Sequence, residues 1–461
     1  MTQGRERNRR LEALLAEGDM SHLALARALA HLASENGIPE LTSIGRSHVS
    51  KWVGGTVPHD ARVTALLCEV FSRKLARTVT ADEVGLPPAP GPAVDDVWGA
   101  DTLIALADLG RRDVSIDRRS AFGAMAYTVA TLALPAPPWW TDAARSAQRP
   151  TSGRKVGKGD LAAVRDMISL FSQIDQRRGG GHGRSAVVQY LNVEVTPLLH
   201  GSFATEALRR DMFSAASELA YVSGWMAFDA AEHALAQRWF ANAIKLAAEA
   251  DDAPLTGHVL RAMAHQANDL GHHRAAERVA SASLEGDRYR QASHRERALL
   301  GVVHARTLAT TGNTQGAAEA LARAEADLSA AGAGEDEPQR VWFFSEASLA
   351  HETACTLRDS GDLDGAVREF LRSVRTRRAA FPRTHAVTLG YLGNIQAQQG
   401  GIEQACVTWL RALDLMDGVR SGRTTETAKE MRRALSPYRP RGIAVVREVD
   451  ARAAAYITHA T

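Results

Sequence analysis

One small pattern recurs through the second half of this chain and restricts what it can fold into. A glycine is followed five residues later by alanine, four further on by an apolar residue, and three beyond that by alanine or serine. The alanines are Ala236, Ala276, Ala317, Ala366 and Ala405, spaced 40, 41, 49 and 39 residues apart. Gly271, Gly312, Gly361 and Gly400 precede them, with Ala231 in the first copy. Phe240, Ala280, Leu321, Phe370 and Trp409 come next, then Ala243, Ser283, Ala324, Ser373 and Ala412. Offsets of four and three place these side chains on one helix face. The glycine ends the preceding helix by turning left-handed. The alanine lets two helices approach, and the larger residue a turn later fills the gap. Each copy is expected to be a helical hairpin, and the copies to stack into an α-solenoid.

The rest of the chain reads the same way. Alternating Val, Ile and Thr runs are rare, while Ala, Leu, Glu, Arg and Gln recur at helical spacing. Aromatic residues are only 6% of the chain, which suits closely packed helices. The expected fold class is all-α. A length of 461 residues exceeds one ordinary core. Pro87, Pro88, Pro90 and Pro92 cannot continue a helix and separate a head, residues 1–86, from the remainder of the chain. A hinge with connecting helices (101–110 and 116–134) occupies 87–159, with a Gly/Lys/Ser-rich loop over 148–159. Repeats fill 160–435, and a tail covers 436–461. A hairpin of 161–176 and 185–199 is expected just upstream of the repeats. Its Gly179–Gly183 loop is read as a turn and not a phosphate cradle, because no strand precedes it and no Lys-Ser/Thr comes after it.

Composition excludes several classes. Three scattered cysteines, Cys68, Cys355 and Cys406, support neither a disulfide scaffold nor a four-cysteine zinc site. The 16 histidines show no pair four apart on one helical face, and His351-Glu352 has Cys355 where a second histidine would stand. No nucleophile elbow or dinucleotide fingerprint occurs. The expectation is a protein without metal or cofactor, not an enzyme. With no export signal and no long apolar run, it is expected in the cytoplasm, associated with the nucleoid and not with a membrane.

The head carries the chemistry. Helices over 4–16 and 20–35 precede a turn at Gly37-Ile38-Pro39 and a third helix ended by Gly54, Gly55 and Pro58. At 100° per residue, Gly45, Val49, Trp52 and Val53 form its buried face, while Ser47, Ser50, Lys51 and Gly54 point outward with Arg46 and His48 at the flanks. A short, polar, basic face is what a helix entering a DNA major groove requires. Net charge is only +2, from 55 Lys+Arg against 53 Asp+Glu. However, residues 41–77 hold Arg46, Lys51, Arg62, Arg73, Lys74 and Arg77 against only Asp60 and Glu69, so the positive charge is concentrated around the third helix.

The stretch Ser47-His48-Val49-Ser50-Lys51-Trp52-Val53-Gly54-Gly55-Thr56-Val57-Pro58 resembles the helix-turn-helix of the phage-repressor-like (XRE) regulators. That resemblance implies that Arg46, Ser47, His48, Ser50 and Lys51 face groove or phosphate, with Thr56 and Arg62 beside them. The segment Ser34–Leu41 is longer than that family's usual tight turn. The repeats, over about 216–420, resemble tetratricopeptide (TPR) repeats, without the closing proline and with a longer period. The whole layout is similar to actinomycete regulators that join such a head to a TPR body, some acting on sporulation and antibiotic production. Val79–Leu86 carries that likeness, as do Gly179–Arg184, Val188–Leu191 and Pro197–Gly201.

The TPR resemblance places Tyr221, Trp225, Phe228, Arg261, His265, Asn268, Arg306, His351, Arg358 and Asn394 on the concave surface. An aromatic end running into Arg, His and Asn suits a peptide or an acidic small molecule. An ordinary solvated inner face accounts for the same residues. The expected function is a sequence-specific regulator binding double-stranded promoter or operator DNA, as a repressor or an activator. A homodimer would read two half-sites, and the body would sense the ligand. The alternative is a TPR adaptor with a vestigial head.

Overall fold

The computed structural model describes residues 7–35, 38–60, 62–75, 79–87, 97–114, 127–146, 154–332 and 337–460. The described chain is all-α apart from one two-residue parallel pairing. In it β1 (Lys155–Val156) lies against β2 (Ser202–Phe203). This pairing falls where a loop was expected. An added Cβ on Gly201 would stand 2.6 Å from the Arg154 carbonyl oxygen, so glycine allows the two segments to meet.

The head comprises α1 (Arg9–Glu17), α2 (His22–Glu35), α3 (Arg46–Val53), α4 (Arg62–Leu75) and the short α5 (Ala81–Val84). Asn8 caps α1 by accepting from the Leu11 amide at 3.0 Å. Thr80 and Glu83 form a capping box on α5. Leu11, Leu25, Leu29, Val49, Leu66 and Phe71 belong to a core separate from that of the body. Most of the proline-rich segment lies outside the described residues, as do Arg77, the first half of the 148–159 loop and the first part of the helix expected over 116–134. The described part of that helix is a single 3₁₀ turn, Val129–Leu132. Gln237 holds the Thr128 backbone from both sides, accepting from its N–H at 3.1 Å and donating to its C=O at 2.8 Å. The same groups cannot then bond within an α-helix.

Connecting helices α6 (Thr102–Val114) and α7 (Pro137–Ser146) pack on α12 (His233–Glu249). In the body, α8 (Lys158–Arg178), α9 (Arg184–Tyr190) and α10 (Thr196–Leu199) precede six hairpin-forming pairs. These are α11 (Glu206–Asp229) with α12, α13 (Ala253–Asp269) with α14 (His273–Ser283), and α16 (His294–Thr310) with α17 (Thr314–Ala330). The short α15 (Asp287–Arg290) lies between the second and third pairs. Next come α18 (Glu346–Asp359) with α19 (Leu363–Thr376), α20 (Pro382–Gln398) with α21 (Ile402–Leu415), and α22 (Gly422–Leu435) with α23 (Ala444–Ala460). All five anchor alanines are buried. Gly271, Gly312, Gly361 and Gly400 sit at φ between +83° and +91°, and Ala231 adopts the same region at +63°.

The body also closes on itself. Helix α8 packs against both α11 and α20. Arg383 of α20 forks onto Asp175 of α8 with two bonds of 2.9 Å, both side chains buried. The Gly181 amide donates to the Arg420 carbonyl at 3.1 Å, and Ser421 donates to Asp229 at 2.9 Å. The first and last parts of the body therefore meet around a central cavity.

Candidate nucleic-acid interface and central cavity

Helix α3 is short because Gly45 and Gly54 bound it. Gly45 is extended, and its amide donates to His48 Nδ1 at 3.1 Å, closing the first turn. Val49, Trp52 and Val53 are buried, whereas Arg46, Ser47, His48, Ser50 and Lys51 are all exposed; Gly45 is only half-buried. The start of α2 stands beside this surface, with His22 Nδ1 2.9 Å from Ser50 Oγ. The long connection from α2 is filled by a 3₁₀ turn, Pro39–Leu41, with Ile38 and Leu41 turned into the core.

The other two expected DNA-facing residues are less open. Thr56 is half-buried, with its amide donating to the Lys51 carbonyl. Arg62 is bonded through Nε and Nη2 to Asp60 at 2.6–2.9 Å. That hydrogen bonding holds the Asp60 carboxyl below its usual range.

Nine of the ten residues placed on the inner face line the central cavity, and Tyr221 lies just beside it. The cavity has an inner chamber of about 60 Å³ and an outer one of about 1280 Å³, with Arg423 lining both. Trp225, Arg261, His265 and His351 line the inner chamber. Phe228, Asn268, Arg306, Arg358 and Asn394 line the outer one. Tyr221 lies in a side cleft that shares Trp225 and Phe343 with the inner chamber.

The charges here are arranged in pairs at one end. Arg306 bridges Asp269 at 3.0 Å and Asp359 at 3.1 Å. Arg358 also bonds Asp359, at 2.7 Å, and lies over the Tyr391 ring. Burial alone would raise the Asp269 carboxyl, but Arg306 and His265 hold it far below the usual range. His351 is pushed well below its ordinary value, first by burial and then by Arg377, Arg423, Arg306 and Arg358. Burial does the same to His258, helped by Arg261 and Arg340.

Sequence reasoning missed Asp175, Asp229, Arg377, Arg383, Tyr391 and Arg423. Asp175 belongs to α8, upstream of the repeats, and meets Arg383 across 208 positions. No local pattern announces such a pair. The Gly179–Gly183 loop is a turn, as expected, but a tightly fitted one. The Gly180 amide donates to Asp229 at 2.8 Å, and a Cβ there would stand 2.3 Å from the Met226 carbonyl oxygen. Its glycines serve the closure of the body.

The head is seated on the body. Glu69 of α4 bonds Arg73 at 2.9 Å and also meets His272 at the start of α14, where both side chains are 3% exposed. Tyr127 stacks on His272 with ring centroids 5.4 Å apart. His31 and Ser34 of α2 form part of the wall of the outer chamber.

Burial raises the thiols of Cys68 and Cys355 to about 12 and Cys406 to about 11, which keeps them protonated at neutral pH. Among the described residues no group of three or more His, Cys, Asp and Glu is placed to hold a metal ion. No described helix is long and apolar enough to cross a membrane.

Residues 11–87 are similar to the family described as SP15 N-terminal domain. The match covers the head and ends at Pro87, at the start of the proline-rich segment. No curated protein and no solved structure matches the chain.

Proposed function

We propose that this chain is a sequence-specific regulator that reads double-stranded promoter DNA with α3 as a homodimer, and that its TPR-like body receives a small-molecule or peptide signal. One observation carries this reading. Five exposed polar or basic side chains, Arg46 to Lys51 without Val49, share a helix that Val49, Trp52 and Val53 anchor in the head core. A helix of that size and polarity fits the major groove, with Lys and Arg meeting phosphates and the short side chains meeting base edges. One head makes too few contacts for tight binding, so two half-sites about 34–36 Å apart are the natural target. Arg62, forked onto Asp60, acts in this reading by shaping the start of α4. Its genes would be those of development or secondary metabolism, by the resemblance to regulators of sporulation and antibiotic production.

The signal has a short route. A ligand filling the outer chamber bears on His31 and Ser34 of α2, the helix that supports α3 through His22 and Ser50. A shifted α2 alters the spacing of the two recognition helices in a dimer.

Lys51→Glu tests the reading, on promoter fragments found by genome-wide mapping of the bound DNA. Affinity by fluorescence anisotropy should fall tenfold or more while helical content stays unchanged. Retained promoter binding overturns the proposal. Lys51→Ala should also lower the slope of log affinity against log salt by about 1, one phosphate contact being lost. Mapping that enriches no DNA, with a stable protein partner recovered instead, favours the adaptor reading.

A further inference from the structure

The signal's chemistry is legible in the inner chamber. Four arginines line it, Arg261 of α13, Arg377 just after α19, Arg383 of α20 and Arg423 of α22, and their partners differ. Arg383 is matched by Asp175 at 2.9 Å and Asp229 at 3.4 Å. The other three have no carboxylate within 4 Å among the described residues.

Arg261 is 3% exposed. One of its amino groups donates to the Tyr221 hydroxyl at 2.9 Å, while its buried Nε has no hydrogen-bond partner. Arg377 donates to the Ala347 carbonyl at 2.8 Å and to Ser373 at 2.9 Å, and its Nε is likewise buried without a partner. The Arg423 guanidinium makes no hydrogen bond or ion pair among the described residues; Thr427 donates only to its backbone carbonyl, at 2.9 Å. Burial disfavours its charge, but Tyr391, Asp269 and Asp229, acting at longer range, hold it above its ordinary value. Both carboxylates are already bonded, Asp229 to the Gly180 amide and Ser421, and Asp269 to Arg306.

Among the lining residues the one carboxylate is Glu352, whose Oε2 is buried without a partner. With Arg383 matched by Asp175, the chamber carries three guanidinium groups against one carboxylate. Unmatched cations taken out of water are costly unless an anion joins them. Guanidinium forks suit planar or tetrahedral oxyanions, with two parallel N–H donors to two oxygens. Trp225, Phe343, Phe344 and Phe381 supply an apolar wall.

We propose that the closed body binds a small organic anion, its carboxylate or phosphate group seated between Arg261, Arg377 and Arg423 in the inner chamber. A chamber of about 60 Å³ admits an anionic head group and excludes a folded protein or nucleic acid. The remainder of the ligand extends past Arg423 into the outer chamber, toward His31 and Ser34. This deepens the sensing half of the proposed function and rests on it, but the binding reaction needs no DNA.

The test uses the full chain, titrated with inorganic phosphate and separately with benzoate, at constant ionic strength set with sodium chloride. Thermal unfolding and calorimetry are the readouts. At least one anion should give a saturable rise in melting temperature, and the stronger of the two identifies the head group. Arg423→Gln should lower the affinity for that anion tenfold or more. Because the Arg423 guanidinium has no direct partner, this variant should fold with a melting temperature close to the parent's when no anion is added. Arg377→Gln should lower the affinity similarly, and Arg411→Gln, on the exposed surface, should leave it unchanged. A parent protein with no saturable response to either anion overturns the inference, as does an equal response from Arg423→Gln. Promoter binding measured in parallel keeps the two readings apart, since Lys51→Glu should bind anion normally.

Discussion

Gly393 shows how a single residue sets the approach of two helices. A Cβ there would stand 2.3 Å from Trp409 Nε1, in the pair α20 and α21. Gly224 holds the same relation to Phe240, at 2.8 Å, in α11 and α12. Gly393→Ala should therefore destabilise the protein by about 1–3 kcal/mol through overpacking, read from the urea midpoint. An unchanged midpoint would mean that Trp409 has room to move. Burial carries a second residue-level consequence, at His258 and His351. Both are held well below the ordinary value of 6.5, so both stay neutral in the folded chain. Once pH falls below about 6.5, the unfolded chain takes up protons that the folded chain refuses. Their contribution to stability is thus complete above that pH and is lost as pH falls, by up to about 1.4 kcal/mol per pH unit per histidine. His258→Gln should flatten the fall in urea midpoint between neutral and mildly acid pH; the same slope in parent and variant would assign the loss to other groups. Spacing in the sequence located the small residues and the apolar anchors. It did not reveal which histidines would be buried, because that depends on what covers them.

Among the elements, the hairpins were the most legible. The five-residue step from glycine to alanine gives a left-handed turn and then a buried anchor in every copy, since both are local consequences of helix geometry. Ala231 holds that turn at φ +63° without glycine, so the pattern is a steric preference and not an absolute requirement. The two faces of α3 were legible for the same reason: a period of 3.6 separates Val49, Trp52 and Val53 from Ser47, Ser50 and Lys51. The seat of α4 was not. Glu69 counted only as one acid against the basic stretch 41–77, yet it is buried against His272 and Arg73. Glu69→Gln should loosen the head from the body while leaving the head core intact. Amide exchange should speed up around His272 and along α4, by about ten- to a hundredfold for a lost charged hydrogen bond worth roughly 1.5–3 kcal/mol. Unaltered exchange there would show that Tyr127 and the neighbouring apolar contacts hold the seat alone.

At the scale of the whole molecule, closure of the body is the decisive feature. Arg383→Ala would leave Asp175 and Asp229 as buried carboxylates without their cation, at a cost of about 3–5 kcal/mol. Urea unfolding should show that loss, whereas a cost under about 1 kcal/mol would mean that the ends meet without help from this pair. By itself the sequence determined the all-α class, the hairpins, the buried anchors and the polar face of the third helix. Each arises from periodicities of a few residues that the backbone imposes wherever they occur. Only the tertiary structure decided that the body closes through Asp175 and Arg383, that the head sits on His272, and that Arg261, Arg377 and Arg423 converge without matching carboxylates. Those relations join residues far apart in sequence, and their energies come from burial and pairing, which exist only once the chain has closed. The near-neutral total of +2 likewise concealed where the charges meet.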